Sequence, residues 1–192
     1  MNRKYTLLAS LSYVLLLFAN ISHAEPPAGV IPYTCFNGGV YILLAYDGED
    51  DRKGWGAFGG TALKGEKIYQ TASREFHEET GCVFPVPSAN QLKDKKNSNS
   101  DGFYTYVAEV PYVPPAVIEI SDCGTKDKRK DWVWVFLPSL IQAIEQNTDV
   151  QDIHREQQKY PIWGAAKKSI QKALQDGLVP GNNDVCKNRN NK

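Results

Sequence analysis

Residues 68–80 have a helix-favouring composition and stop at Gly81, and within them Glu75, Glu78 and Glu79 stand at i, i+3 and i+4. On a helix this spacing brings all three carboxylates to one face within about one turn. Such a face cannot be packed into an apolar core as it stands. Like charges so placed destabilise the helix, or drive one carboxyl to take up a proton, unless opposite charge sits among them. Two arrangements resolve the conflict. The first is a solvated surface face with Lys or Arg nearby, and for a bare acidic cluster it carries the larger prior weight; Arg74 is then part of that surface and Gly81 an ordinary left-handed cap. The second is a hard divalent cation. Mg²⁺ prefers oxygen ligands, keeps several waters, and commonly combines carboxylates with substrate phosphates.

The flanking residues shift the balance towards the cation. Five residues separate Gly60 from Glu66, and seven separate Glu66 from Arg74-Glu75-Phe76-His77-Glu78-Glu79-Thr80-Gly81-Cys82. This pattern resembles the signature of the Nudix hydrolases. Cys82 stands where the signature has an apolar residue, and Phe58 precedes Gly59 where many members have proline. The strict match covers 23 residues of 192 (60–82), and a looser likeness extends over about 33–140.

The resemblance implies an α/β (α+β) fold, an α/β/α sandwich with a mixed β-sheet between helices. It implies Glu75, Glu78 and Glu79 as metal ligands, with the carbonyl of Gly59 as a further one. Glu75 would also serve as, or orient, the general base, and Arg74 with Glu66 would hold the loop against the helix. Some members add a ligand just before a later Trp-containing strand, a place held here by Asp131; a turn residue among Lys126, Lys128, Arg129 and Lys130 fits that position as well. The basic run itself reads as a solvated loop or as a phosphate-facing edge. Glu109 and Glu119 are further acids on later segments, and His77 points away from the three-glutamate face, a surface or packing position.

The implied chemistry is hydrolysis of a phosphoanhydride in a nucleoside diphosphate linked to another group, with Mg²⁺ as cofactor and Mn²⁺ as a substitute. The partner is a small nucleotide or other diphosphate. Selectivity would come from outside the motif, with Trp55, Phe103, Tyr104, Tyr106, Trp132 and Trp163 able to stack a base, though most sit in core-like patterns. Two rival readings stand beside this one: a nucleotide-binding module of the same fold without hydrolysis, and an exported interaction protein whose acidic helix is only surface. The retained carboxylates argue for catalysis.

The rest of the chain sets the context. Arg3 and Lys4, an apolar run over 5–21, and Ser22-His23-Ala24 form the layout of a secretory signal peptide cleaved after Ala24. The uninterrupted apolar stretch is shorter than the roughly 20 residues that span a bilayer. A single domain over 25–192 is expected, with a polar tail from about 181, released to the periplasm or the exterior with no membrane association. Cys35, Cys82, Cys123 and Cys186 make an even count that suits two disulfides in an oxidising compartment, with three pairings open. Buried thiols are the alternative, and a zinc site lacks paired ligand spacing. The formal net charge of zero argues against a general nucleic-acid binder.

Strands are predicted over 30–46 with a turn at Gly38-Gly39, over 102–110 and over 132–137. Helices are predicted over 68–80, 138–146 and 161–175, and 88–101 reads as a polar surface loop.

Overall fold

A computed structural model of the chain describes residues 25–48, 52–151, 158–181 and 186. The expected leader over 1–24 and most of the polar tail lie outside the described residues.

Among the described residues the elements follow in order: β1 (Ala28–Phe36), β2 (Gly39–Tyr46), β3 (Phe58–Gly60), α1 (Ile68–Glu79), α2 (Ala89–Lys93), β4 (Asn97–Ser100), β5 (Phe103–Glu109), α3 (Pro115–Ile120), β6 (Asp131–Phe136), α4 (Leu137–Gln146), β7 (Val150–Gln151), β8 (Lys159–Tyr160) and α5 (Gly164–Gln175). The main sheet runs β4-β5-β1-β2-β6, with β3 on β1. It is mixed: β1 pairs parallel with β5, and β2 is antiparallel to both β1 and β6.

The predicted hairpin forms one residue earlier than the glycine pair suggests. Asn37 (φ 48°) and Gly38 (φ 76°) make the turn, while Gly39 already pairs with Phe36. An Asn-Gly pair tolerates the two successive positive φ values that a tight hairpin demands.

Both faces of the sheet are buried, which is why 40–45 and 132–135 read as continuous apolar runs. Period-two alternation sorts them into two cores. Val30, Leu43, Trp132 and Trp134 pack with Phe76 of α1, Leu92 of α2 and Ile118 of α3. Ile31, Ile42, Leu44, Val133 and Val135 pack on the other side with Leu140 and Ile144 of α4 and Ile170 of α5. The result is the α/β/α sandwich, an open sheet between two helical layers.

One detail of the sheet builds the site. The later part of β1 (Tyr33–Phe36) pairs with β2, but its first residues, Ala28 to Val30, pair with β3 instead. The β2–β3 loop returns through an Ala45–Gly56 bridge, which seats Gly59 and Gly60 beside the start of β1.

Three differences from the sequence reading have local causes. The segment 88–101 holds α2 and β4 rather than a loop: Ser88 caps α2 by accepting from Gln91 N at 3.4 Å, and β4 is an edge strand whose pairing with β5 needs only backbone. A short helix, α3, follows Pro114, where no apolar period marked it. Helix α5 begins at Gly164, because Pro161 O and Trp163 N are engaged with the backbone of Trp55 at 2.8 and 3.0 Å.

Two disulfides, Cys35–Cys186 and Cys82–Cys123, use all four cysteines. The second closes a span of 41 residues between the end of α1 and the loop before β6. Loop-closure entropy for such a span is worth about 4 kcal/mol. The Cys82→Ser/Cys123→Ser double variant is therefore expected to lose about 2–4 kcal/mol in urea unfolding; a loss under about 1 kcal/mol would show the tether to be thermodynamically idle.

Candidate active site

Helix α1 is set by its two ends. Gln70 Oε1 accepts from Lys67 N at 2.8 Å at the start. At the finish Gly81 (φ 61°) and Cys82 (φ 58°) turn left-handed, and Cys82 N donates to His77 O at 2.7 Å. Phe76 and Ala72 anchor the helix in the core, and the flank beside them carries the acids along the β3 edge.

Glu66 is the hub of the preceding loop. Its carboxylate accepts from Leu63 N (2.9 Å), Thr71 Oγ1 (3.0 Å) and twice from Arg74, Nε at 2.8 Å and Nη2 at 3.0 Å. The Arg74 hydrogen bonds, opposed in part by burial, hold its pKa down at about 2. Arg74 also reaches Thr61 O (2.9 Å), Glu75 Oε1 (2.9 Å) and Glu78 Oε2 (2.8 Å). One guanidinium thus joins the loop to two of the helix carboxylates.

Glu79 is the most enclosed of the three, 3% exposed. Its Oε2 accepts from Gly59 N at 2.9 Å, and its Oε1 pairs with Arg129, which also pairs with Asp47. Burial pushes the Glu79 pKa up to about 8, opposed by Arg129 and the Gly59 N–H, with Glu75 adding repulsion. Burial likewise raises Glu75, opposed by Arg74, while Glu78 and Asp127 add to the rise. Gly60 passes directly over Glu75: a Cβ there would lie 2.6 Å from its carboxylate atoms. A side chain at this point of the loop would push the Glu75 carboxylate from its place.

Among the described residues no three His, Cys, Asp or Glu side chains gather closely enough to hold a metal ion as they stand. The arginines supply the positive charge instead. The donor chemistry nevertheless fits a hard cation: carboxylates on one helix face, with Gly59 held against Glu79 through its N–H, and two buried acids whose ionised forms are disfavoured without added positive charge.

Two cavities meet here. A polar cleft of ≈ 600 Å³ is lined by Arg74, Glu75, Glu79, Asp127, Arg129 and Lys130, among others. A more apolar chamber of ≈ 440 Å³ lies between the sheet and α5, lined by Phe58, Phe103, Thr105, Trp163, Ala166 and Ser169, among others. Asp47, Arg52, Gly59, Gly60, Thr61 and Arg129 line both, so the two spaces adjoin along the β3 edge.

A model of the NUDIX domain matches residues 25–155. The chain belongs to the Nudix family. Among solved structures, the Nudix hydrolase RenU of M. smegmatis is similar with a TM-score of 0.50 at 14% identity, over 81% of this chain and 88% of that one. The NUDIX domain of Shewanella oneidensis NrtR, solved with ADP ribose, gives 0.47 at 16% identity, over 80% and 88%. A protein of Acanthamoeba polyphaga mimivirus is 46% identical over 61 residues, which span 30% of this chain and 20% of that protein. The matched stretch is thus about a fifth of that curated relative's length.

Within this Nudix domain Arg74 joins Glu66, Glu75 and Glu78, and Asp131 lies at the start of β6. Its Oδ1 accepts from Trp132 N at 2.8 Å as β6 begins, and it lines neither cavity. The β2–β6 register pairs it with Tyr46. Glu109 at the end of β5 and Glu119 on α3 also line neither cavity. Of the aromatic candidates, Trp55, Tyr106 and Trp132 are core, whereas Phe103 and Trp163 line the chamber. Arg129 and Asp47 had only weak sequence signals, one in a basic run and the other in a polar turn.

Proposed function

We propose that this Nudix protein is a Mg²⁺-dependent hydrolase that cleaves the phosphoanhydride of a nucleoside diphosphate linked to another group. One observation carries the reading: Glu75 and Glu79, two of the three helix carboxylates, line a charged cleft that adjoins a largely apolar chamber, matching a substrate that is diphosphate at one part and organic at another. Glu75, Glu78, Glu79 and the Gly59 carbonyl would hold the cation, which when bound draws charge from phosphate oxygens and lowers the pKa of water. Glu75 accepts the proton of the attacking water. The water oxygen bonds to one phosphorus, the bridging P–O bond breaks, and the other phosphate leaves with that electron pair. Arg74, fixed by Glu66, keeps Glu75 and Glu78 in place through the cycle. Phe103 and Trp163 offer ring faces to the organic part.

The two disulfides support work in an oxidising compartment, periplasmic or extracellular, as the signal-like N-terminus suggests. Substrates there include dinucleotides, nucleotide sugars, ADP-ribose and prenyl diphosphates. A second reading, nucleotide binding without turnover, is favoured by the arginine pairing of all three carboxylates.

A panel of these diphosphates, assayed for phosphate-ester products with Mg²⁺ and with EDTA, separates the two. The hydrolase reading expects at least one substrate turned over with kcat of about 1 s⁻¹ or more, and none in EDTA. Tight binding of a panel member with no turnover would favour the binding module.

A further inference from the structure

We propose that Arg129 is a substrate-phosphate clamp, held at the junction of the two cavities by Asp47 and by the loop that the Cys82–Cys123 disulfide ties to α1. This rests on reading the site as one for a diphosphate. Arg129 stands outside the family motif, on the loop between α3 and β6.

The first ground is an unfilled donor. The Arg129 side chain is 10% exposed, its Nη1 is spent on Asp47 and its Nη2 on Glu79. Its Nε is buried and has no hydrogen-bond partner. Leaving a buried donor on a charged group unmet is costly, and an acceptor that enters the site relieves that cost. The residue lines both the polar cleft and the apolar chamber, where the acceptor of a substrate spanning them would lie.

The second ground is how firmly the residue is held. Arg129 N donates to Glu79 O at 3.2 Å, and Thr125 Oγ1 to Glu78 O at 3.2 Å. Lys128 Nζ reaches Glu119 O and Ser121 O, closing the loop on itself. The loop backbone also packs against the end of α1 so closely that a Cβ on Gly81 would lie 2.5 Å from Ser121 O. The disulfide joins the same two segments covalently. A counter-ion for Glu79 needs only charge. A guanidinium fixed at both terminal nitrogens in a residue that lines both cavities offers an oriented donor, and phosphate oxygens are the acceptors that a charged, forked donor suits best.

The test is calorimetric binding of inorganic pyrophosphate to the full mature chain in EDTA, which needs no turnover. A hydrogen bond to a charged group is worth about 1.5–3 kcal/mol, or roughly 10- to 150-fold in affinity. Wild type is expected to bind one pyrophosphate, Arg129→Gln at least about 10-fold more weakly, and Arg129→Lys, which keeps charge but lacks the fork, several-fold more weakly. Lys95→Gln, an exposed control that lines neither cavity, should stay within about threefold. Circular dichroism checks each fold, and Arg129→Lys serves if Arg129→Gln does not fold. Arg129→Gln within about threefold of wild type, Arg129→Lys equal to it, or no pyrophosphate binding by wild type overturns the inference. Wild type that hydrolyses a panel substrate while Arg129→Gln binds pyrophosphate unchanged refutes the clamp alone. Arg129-dependent binding with no turnover refutes the hydrolase reading and leaves the clamp standing.

Discussion

Glu79→Gln is expected to lower kcat/KM for the best substrate by about a thousandfold or more, equivalent to roughly 4 kcal/mol of transition-state stabilisation. The substitution is nearly isosteric. The amide oxygen can still accept from Gly59 N, so the loop over the helix should keep its place. What disappears is the negative charge at the most enclosed of the three acids, together with half of the pairing of Arg129. Loss of a carboxylate at that point removes a ligand from the set proposed to hold Mg²⁺ and perturbs the phosphate side of the site at once. Steady-state kinetics over a range of Mg²⁺ concentrations checks this, with circular dichroism confirming the fold. Retention of more than about a tenth of wild-type kcat/KM would show that Glu79 is structural.

Arg74→Ala is expected to be the most destabilising single change near the site, by about 3 kcal/mol in EDTA. The guanidinium is 21% exposed, and its partners Glu66, Glu75 and Glu78 are 17%, 11% and 23% exposed. Removing it leaves three partly buried carboxylates facing one another and frees Thr61 O at the loop. For a chain of this size the loss corresponds to a melting temperature lower by roughly 6–12 °C. A divalent cation that binds the same carboxylates should restore part of it by mass action, so the variant's gain on adding Mg²⁺ should exceed that of wild type. Thermal melts of both proteins in EDTA and in Mg²⁺ check the pair of effects. A variant as stable as wild type without metal would show that Arg74 contributes only a surface ion pair.

The legible part of this protein was the part whose side chains obey a strict period or a strict spacing. The hairpin at 28–46 and the strand at Asp131–Phe136 are buried on both faces, so their apolar runs announced them. The helix with Glu75, Glu78 and Glu79 was visible because its chemistry depends on fixed offsets along one turn. Edge strand β4 was hidden because its pairing is backbone pairing, and Asn97, Ser98, Asn99 and Ser100 carry no apolar signature. Helix α5 was read too early because the backbone of 161–163 is committed to Trp55, a contact made across more than a hundred residues of sequence. Within the site, Arg129 and Asp47 could not be singled out for the same reason. Each is brought to Glu79 by the fold, one by the loop tied to α1 and the other by the end of β2, and no local pattern encodes that meeting. Asp131 stands at the start of β6, where its Oδ1 accepts from Trp132 N, a place the sequence read equally as ligand or turn.

The most direct measurement is Mn²⁺ binding, followed by electron paramagnetic resonance, to wild type and to Glu75→Gln, Glu78→Gln and Glu79→Gln. The account predicts at least one bound ion per wild-type chain, displaced by Mg²⁺, and an affinity at least about tenfold weaker in each variant. Equal Mn²⁺ affinity across all four proteins, or none in wild type at millimolar ion, would contradict it.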